Sequence, residues 1–515
     1  MLFWLLACSA GGDIPLDADA DLPVDTAADP GGDTAPTETI GDGACDPGAE
    51  DVYVSEGELV SFVVGCRGDG TATTFAVEGL PHGAAFDAGS ATFTWTPRLD
   101  QAGKYVLPVF ARGGAPDAGI VTVWVADAWA EPDNSPVNPI AYEEEHGLPV
   151  FHLEVPRATN DADDVPTTMV YRGRPWALAI KYRGAASAYY PKRSYTLSFP
   201  RDDEFDDADE GFDNRRKIVL TTLFDDNSYL RQKLCYELWS AMDTFRHDVQ
   251  SMLAVVYVNG AYEGLFLVTD HLSGEYWEDH GYDEDGSLYK AVTHEANFYA
   301  TYGDAPKYTW HDGYEKQEGV EGDWSDLDAL VEFVATADDA TFTAGITAYV
   351  DLDEIADWWI LVRFTEADDS GGKNAYLHVD AATGLTHHAP WDFNHSFGQT
   401  WQTERQSAAT DYDFYWSNNL FRRLLVDPVH GPRLQARMRE QLATTYASDA
   451  VLARIDAHTA RIGPSAERDW EKWADEYRSY GGWYWRTDWT DHAGEVAYLR
   501  QWVTDRAGYY AGWFP

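Results

Sequence analysis

Hydrophobic spacing changes character once along this chain, and that change constrains the fold more than any other feature. Apolar residues come in short strand-length runs through the first half. From residue 324 onward they recur at helical spacing. Strand-like runs fall at 150–155, 176–180, 195–199, 217–220, 254–258 and 264–268. The last two are joined through Asn259-Gly260, the strongest short hairpin signal in the chain. Ser228 is a candidate N-cap for a helix that carries Leu230, Leu234 and Leu238 at i, i+4 and i+8. Further helices are expected over 324–335, 352–365 and 434–447. Strands first and helices later predict an α+β catalytic domain of two lobes, strand-rich over about 140–290 and helical over about 320–515.

Upstream, residues 49–127 hold short alternating runs broken by Gly, Pro and Asp, the pattern of an all-β sandwich. The stretch from Gly79-Leu80-Pro81 through Phe93-Thr94-Trp95-Thr96-Pro97 to Gly103-Lys104-Tyr105 resembles the Ig-like, cadherin-like modules of bacterial surface proteins. Such modules act as spacers or adhesive units, and no catalytic residue is expected there. Residues 128–139 read as a linker into the domain that fills the rest of 128–515. At the N-terminus, residues 1–8 read as an export signal. Leu5-Leu6-Ala7-Cys8 resembles a lipobox, which implies a lipid on Cys8 as the sole membrane attachment. Residues 9–48 read as a disordered acidic tether that cannot bury a core. Cys45 and Cys66 are expected to pair in an exported protein, whereas Cys235 lies in a helical apolar pattern and reads as a buried free thiol.

Charge narrows the partners. The chain has 87 acids against 37 Lys and Arg, a formal net charge of −50. Such a surface repels phosphate backbones, so nucleic acid is excluded as a partner. With 44% hydrophobic and 14% aromatic residues, a large core is still expected. No apolar run is long enough to span a membrane as a helix.

The chemistry concentrates in two neighbouring segments. Asp368-Asp369-Ser370-Gly371-Gly372-Lys373-Asn374 follows the 352–365 helix. Pro390-Trp391-Asp392-Phe393-Asn394-His395-Ser396-Phe397-Gly398 follows a strand-like run at 375–379. An Asp followed by an Asn with four residues between, then a second Asp delivered by a hairpin, is the arrangement a phosphotransferase uses to bring a base and metal ligands to one phosphoryl group. Asp-x4-Asn alone is a common polar loop. The pairing with the second segment gives it weight.

Residues from about 147 to 515 resemble the spore-coat protein H (CotH) kinase family of atypical secreted protein kinases. Tyr182-Arg183-Gly184 with Tyr190-Pro191-Lys192-Arg193-Ser194-Tyr195, then 224–234, 257–266 and the acidic pair of segments, carry the match in family order. The resemblance implies a diverged protein-kinase-like bilobal domain that uses ATP with Mg²⁺ or Mn²⁺ to phosphorylate Ser or Thr of an envelope or coat protein. It implies that Lys192 grips phosphate, with Arg183 beside it, that Asp369 acts as base or orienter, and that Asn374 and Asp392 hold the metal. Glu237 lies seven residues after Leu230, within about 20° of it on a helix. It is therefore expected on the apolar face, as the partner of Lys192, with a nearby Arg as the alternative partner. Arg183 and Arg231 are each assigned to phosphate or to bracing a loop, with a structural salt bridge as the alternative for each.

The chain departs from the family in having no GxGxxG, in Asn394 where a second Asp is frequent, and in Asp270 where a Glu is frequent. A rival reading keeps the fold but makes it a catalytically inactive binding or structural protein of the cell surface. His387-His388 with Asp392 and His395 lacks the HExxH spacing of a metallohydrolase. The C-terminal aromatics from Trp470 onward have helical spacing and read as packing residues.

Overall fold

A computed structural model describes residues 49–65, 74–98, 101, 103–112, 118–126, 137–242, 247–283, 285–483 and 486–513. The expected export signal, the tether, Cys8, Cys45 and Cys66 and most of the linker lie outside these residues.

The first unit is the expected sandwich. A four-stranded sheet takes the order Ala49–Ser55, Ala118–Ala126, Gly103–Arg112, Thr74–Val77, and a three-stranded sheet the order Val60–Val63, Thr92–Trp95, Ala85–Asp87. Phe93, Trp95, Val109, Val123 and Val125 fill the space between them. Alternation along each strand sends one set of side chains inward.

The strand-rich half of the second unit closes on itself. Its strands are β1 (Leu148–Leu153), β2 (Val165–Tyr171), β3 (Arg174–Arg183), β4 (Ser194–Ser198), β5 (Lys217–Thr222), β6 (Ser251–Val258) and β7 (Ala261–Asp270). They run in the order β2-β3-β4-β5-β7-β6-β1, and β1 pairs again with β2. The result is a seven-stranded barrel, a closure that the expectation of a kinase lobe did not include. All neighbours are antiparallel except β6 and β1. Trp176, Leu178 and Ile180 of β3 and Leu197 of β4 point inward with Phe151, Phe205 and Phe266. The period of two therefore sends Lys181 and Arg183 outward. The β6–β7 hairpin turns at Asn259 and Gly260, both at positive φ (52° and 81°), as the dipeptide predicts.

The other half is helical around a small sheet. α1 (Arg231–Ser240) begins three residues after Ser228. Asp226 accepts from the Arg231 amide (3.0 Å), and Ser228 serves that carboxylate instead of capping the helix (2.6 Å). β8 (Ser287–Ala291), β9 (Tyr314–Glu318), β10 (Ala375–Val379) and β11 (Thr386–Pro390) form a sheet in the order β9-β8-β10-β11. α2 (Ser325–Thr336), α3 (Leu352–Thr365), α4 (Asn419–Val426), α5 (Gly431–Ala443), α6 (Ser448–Ser479) and α7 (His492–Trp513) surround it. One hydrophobic core joins α1, α3 and the outer faces of β6 and β7 to this helical half. Cys235 is buried there as a free thiol, its ionisation pushed up to about 12 by burial. Trp470, Trp473 and Tyr477 pack on Tyr190, Phe224 and Trp483, the packing role their spacing predicts.

Candidate functional site

A cavity of about 1270 Å³ opens where the barrel meets the helical half. Three structural units form its walls. The outer face of β3 and β4 contributes Lys181, Arg183, Ser194 and Thr196, and the following loops add Tyr190 and Asp225. The end of β8 contributes Lys290 and, just beyond, His294. The segments that flank the β10–β11 hairpin contribute Asp368, Asp369, Lys373, Asn374, Asp392 and His395.

The hairpin explains why two segments far apart in sequence converge. Ala375 pairs with Pro390 across it, and the Trp391 amide donates to the Asn374 carbonyl (3.0 Å). Asn374 and Asp392 therefore leave the same end of the same hairpin. Both have left-handed backbone, φ 57° and 61°. Asn and Asp tolerate that region better than other non-glycine residues, and such positions concentrate at functional sites. The Gly371-Gly372 pair is required by packing. A Cβ on Gly372 would lie 2.3 Å from the Ser417 carbonyl oxygen.

Each acid has a distinct environment. Asp369 Oδ1 faces Lys373 Nζ (2.9 Å) and His294 Nε2 (3.4 Å), and its Oδ2 accepts from the Asn374 amide (3.2 Å). Burial opposes its ionisation, but His294 and Lys373 outweigh burial and hold the carboxyl at about 2. Burial and the Asp369 charge push neighbouring Asp368 up to about 6. Asp392 is exposed to the cavity, and among the described residues its carboxylate takes part in no hydrogen bond or ion pair. Burial by the walls, with Asp369 and Asp225 adding to it, raises its pKa, partly offset by His395. Three cations face these acids. Lys181, Arg183 and Lys290 line the cavity, and none of them forms an ion pair among the described residues. Arg183 lies over the Trp391 ring at 4.6 Å and donates to Thr196 Oγ1 (3.4 Å).

Of the expected site residues, the fold brings Arg183, Asp369, Asn374 and Asp392 together and leaves Lys192 and Glu237 out. Lys192 is fully buried, away from the cavity walls. Its Nζ bonds to Asp469 Oδ2 of α6 (2.5 Å) and to the Leu265 carbonyl (2.6 Å). Tyr229 Oη and the Leu265 amide complete the coordination of that carboxylate (3.0 and 2.6 Å). Gly264 makes room for this node, since a Cβ there would sit 2.1 Å from Asp469 Oδ2. The expected Lys192–Glu237 pair is therefore corrected, and so is the phosphate role of Lys192. Glu237 pairs instead with His458 of α6 (2.9 Å) and Lys233 (3.0 Å). The helical phase misled because Leu230 precedes α1. Within the helix, Lys233, Glu237 and Ser240 form its open stripe and the other seven residues are buried. Arg231 braces structure, fully buried between Asp226 (2.5 Å) and Glu495 (2.7 Å), and donates to the Ser396 carbonyl (3.1 Å).

His387 and His388 sit on β11 of the hairpin itself, against Glu354, and do not line the cavity. Among the described residues no group of three His, Cys, Asp or Glu forms a metal cage. Lys181, Lys290, His294 and Asp225 join the site without being expected from the sequence. Lys181 alone had a signal, two residues from Arg183 on a strand and hence on the same face.

Three comparisons with known proteins bear on this chain. A family model described as "CotH kinase protein" matches residues 180–510, and one described as "Putative Ig domain" matches 47–125. Inner spore coat protein H of Bacillus subtilis (strain 168) is 28% identical over 329 residues, covering 62% of this chain and 87% of that protein. Among solved structures, an endo-fucoidan hydrolase of glycoside hydrolase family 107 aligns at a TM-score of 0.13 and 15% identity, over 28% of this chain and 29% of that one. The extracellular domain of Protocadherin GammaB4 aligns at a TM-score of 0.13 and 11% identity, over 45% of each chain. Neither overlap is close enough to bear on the fold.

Proposed function

The chain belongs to the CotH kinase family, and from that premise we propose that it is an atypical protein kinase that moves the γ-phosphoryl group of ATP to a Ser or Thr hydroxyl of an envelope or coat protein. One observation carries the reading. In a chain of net charge −50, three cations that form no ion pair among the described residues face Asp369, Asn374 and an Asp392 likewise without an ion pair among them, across one cavity. A polyanion bound together with a divalent cation answers both halves of that arrangement. The two halves of the second unit stand for the two lobes of a kinase, with a closed barrel as the first.

The residues present fit a hard cation. Asp392 offers a carboxylate open to the cavity that forms no ion pair among the described residues. Asn374 offers an amide oxygen from the same hairpin end. Mg²⁺ and Mn²⁺ take such oxygen donors and complete their shell with water and phosphate, so a full protein cage is not required. Asp392 and Asn374 would hold the ion, whose chemistry is to neutralise charge on the β- and γ-phosphates.

This chain's own residues do the rest. Arg183, with Lys181 and Lys290 beside it, binds phosphate oxygens and fixes the γ-phosphorus for in-line attack. Asp369, ionised and fixed by Lys373 and Asn374, orients the acceptor hydroxyl. Lys192 holds the β3–β4 face in register by tying the barrel to α6. Export and a lipid on Cys8 would place the enzyme at the envelope.

The test is direct. Purified protein is incubated with labelled ATP, Mn²⁺ and a Ser/Thr-rich acceptor protein, beside Asp369→Ala and Asp392→Ala. Phosphate on protein from the wild type, lost in both variants, is expected. No labelling, or equal labelling by the variants, sinks the kinase reading in favour of an inactive surface protein.

A further inference from the structure

His395 occupies a place in the cavity that the functions above do not use. Its Nε2 lies 3.1 Å from Asp225 Oδ2 and 3.1 Å from Asn394 Nδ2, and since that amide already donates to Asp225, the carboxylate holds the proton on Nε2. Asp225 is itself fixed. It is buried, and the same oxygen accepts from the Asn394 amide (2.5 Å) and from Tyr190 Oη (3.2 Å). The loop that carries His395 is pinned on its far side, where Arg231 donates to the Ser396 carbonyl (3.1 Å) and the Phe397 amide donates to the Thr365 carbonyl (2.6 Å). Among the described residues Nδ1 has no hydrogen-bond partner, although the ring lines the cavity beside Asp369 and Asp392. Facing the cavity, that nitrogen is open to a ligand.

Resting on the kinase reading, we propose that His395 is a catalytic residue, an imidazolium oriented by Asp225 whose Nδ1–H donates to a γ-phosphoryl oxygen as charge builds there. The ring neither gives nor takes a proton. The bond from phosphorus to the β–γ bridging oxygen breaks, its electron pair leaving on ADP, the bond to the acceptor oxygen forms, and the hydroxyl proton passes by way of Asp369 to solvent, while the ring supplies fixed positive charge. The electrostatics agree with the geometry. Burial disfavours the charged ring, but the Asp225 bond and charge, then Asp392 and Asp369, raise its pKa above the ordinary imidazole value. Asp368 also feels the charge of the ring. Asn394 also follows from this arrangement. An Asp in that position would place a second carboxylate against Asp225 Oδ2, where the amide now donates.

The test uses the full chain, Mn²⁺, labelled ATP and a Ser/Thr-rich acceptor. His395→Gln should lower kcat about a hundredfold, with the KM for ATP and the melting temperature nearly unchanged. His395→Ala should lose as much and be accelerated by added imidazole. Asp225→Asn should show a smaller loss in kcat. Wild-type kcat in His395→Gln overturns the proposal. So does loss of activity that accompanies unfolding, or a His395→Ala protein that folds but does not respond to imidazole. A wild type that labels nothing overturns the kinase reading itself, a separate outcome.

Discussion

Lys192 and Arg183 lie nine residues apart, in the same motif, on adjoining parts of one barrel wall. Lys192 is sealed in the interior, its charge matched by Asp469 at 2.5 Å. Arg183 opens into the cavity with a ring beneath it and, among the described residues, no carboxylate paired to it. The first arrangement holds the barrel to α6 and has no capacity left for a ligand. The second leaves charge to be neutralised from outside. What separates a structural cation from a binding one here is who supplies the counter-charge, and in both cases that is decided by residues remote in sequence.

The contrast can be broken from either side. The largest effect is expected at Asp392, the acidic counterpart of Arg183. Asp392→Asn should lower phosphoryl transfer by a factor of about a thousand or more. Because that carboxylate is raised by burial and by its acidic neighbours, the variant should melt no lower than wild type. A marked loss of stability would mean that Asp392 is structural.

Next comes the buried node. Lys192→Met leaves the Asp469 carboxylate unpaired in the interior and should cost about 3–5 kcal/mol in urea unfolding. The double variant Lys192→Met/Asp469→Leu should recover much of that loss. An active, fully stable Lys192→Met protein would show that the node does not hold the halves together. Arg183→Ala should do the reverse, raising the KM for ATP by roughly 10–100-fold, the worth of about 1.5–3 kcal/mol in a charge-assisted contact. The loss of its contact with Trp391 should lower stability by only about 1 kcal/mol.

The smallest effect concerns acid. Burial holds His378 of β10 and His247, which packs on the β10–β11 hairpin, down at about 4. In the unfolded chain they take up protons near pH 6.5, but in the folded protein only near pH 4. Their contribution to stability is therefore complete above about pH 6.5 and is lost as pH falls toward 4. Asp368, pushed up to about 6, and Glu366, pushed up to about 7, contribute the opposite way over the same window. The wild-type urea midpoint should therefore fall relative to that of a His378→Phe variant as pH drops from 7.5 to 4.5, and a difference flat from 7 to 5 would contradict the burial of that ring.

Much of the fold was legible because its signals are local. The Asn259-Gly260 turn, the 352–365 helix and the strand at 375–379 appear where their periodicity placed them. The start of α1 did not follow Ser228, because Asp226 competes for the same orphaned amides. Barrel closure was hidden for a different reason. It depends on β2 pairing with both β3 and β1, and no strand's own pattern says how many neighbours it has. In the site, the Asp-x4-Asn and Trp-Asp segments were readable because one hairpin joins them. Lys290 and Asp225 were not, since each reaches the cavity from a different element.

By itself, the sequence determined the order of the units, the alternation that turns Arg183 outward, and the hairpin that presents Asn374 with Asp392. These are consequences of covalent neighbourhood and backbone period. Only the tertiary structure decided which charges are spent and which remain available. A buried ion takes whatever partner the fold brings within bonding distance. For Lys192 that partner is 277 residues away, beyond any spacing rule.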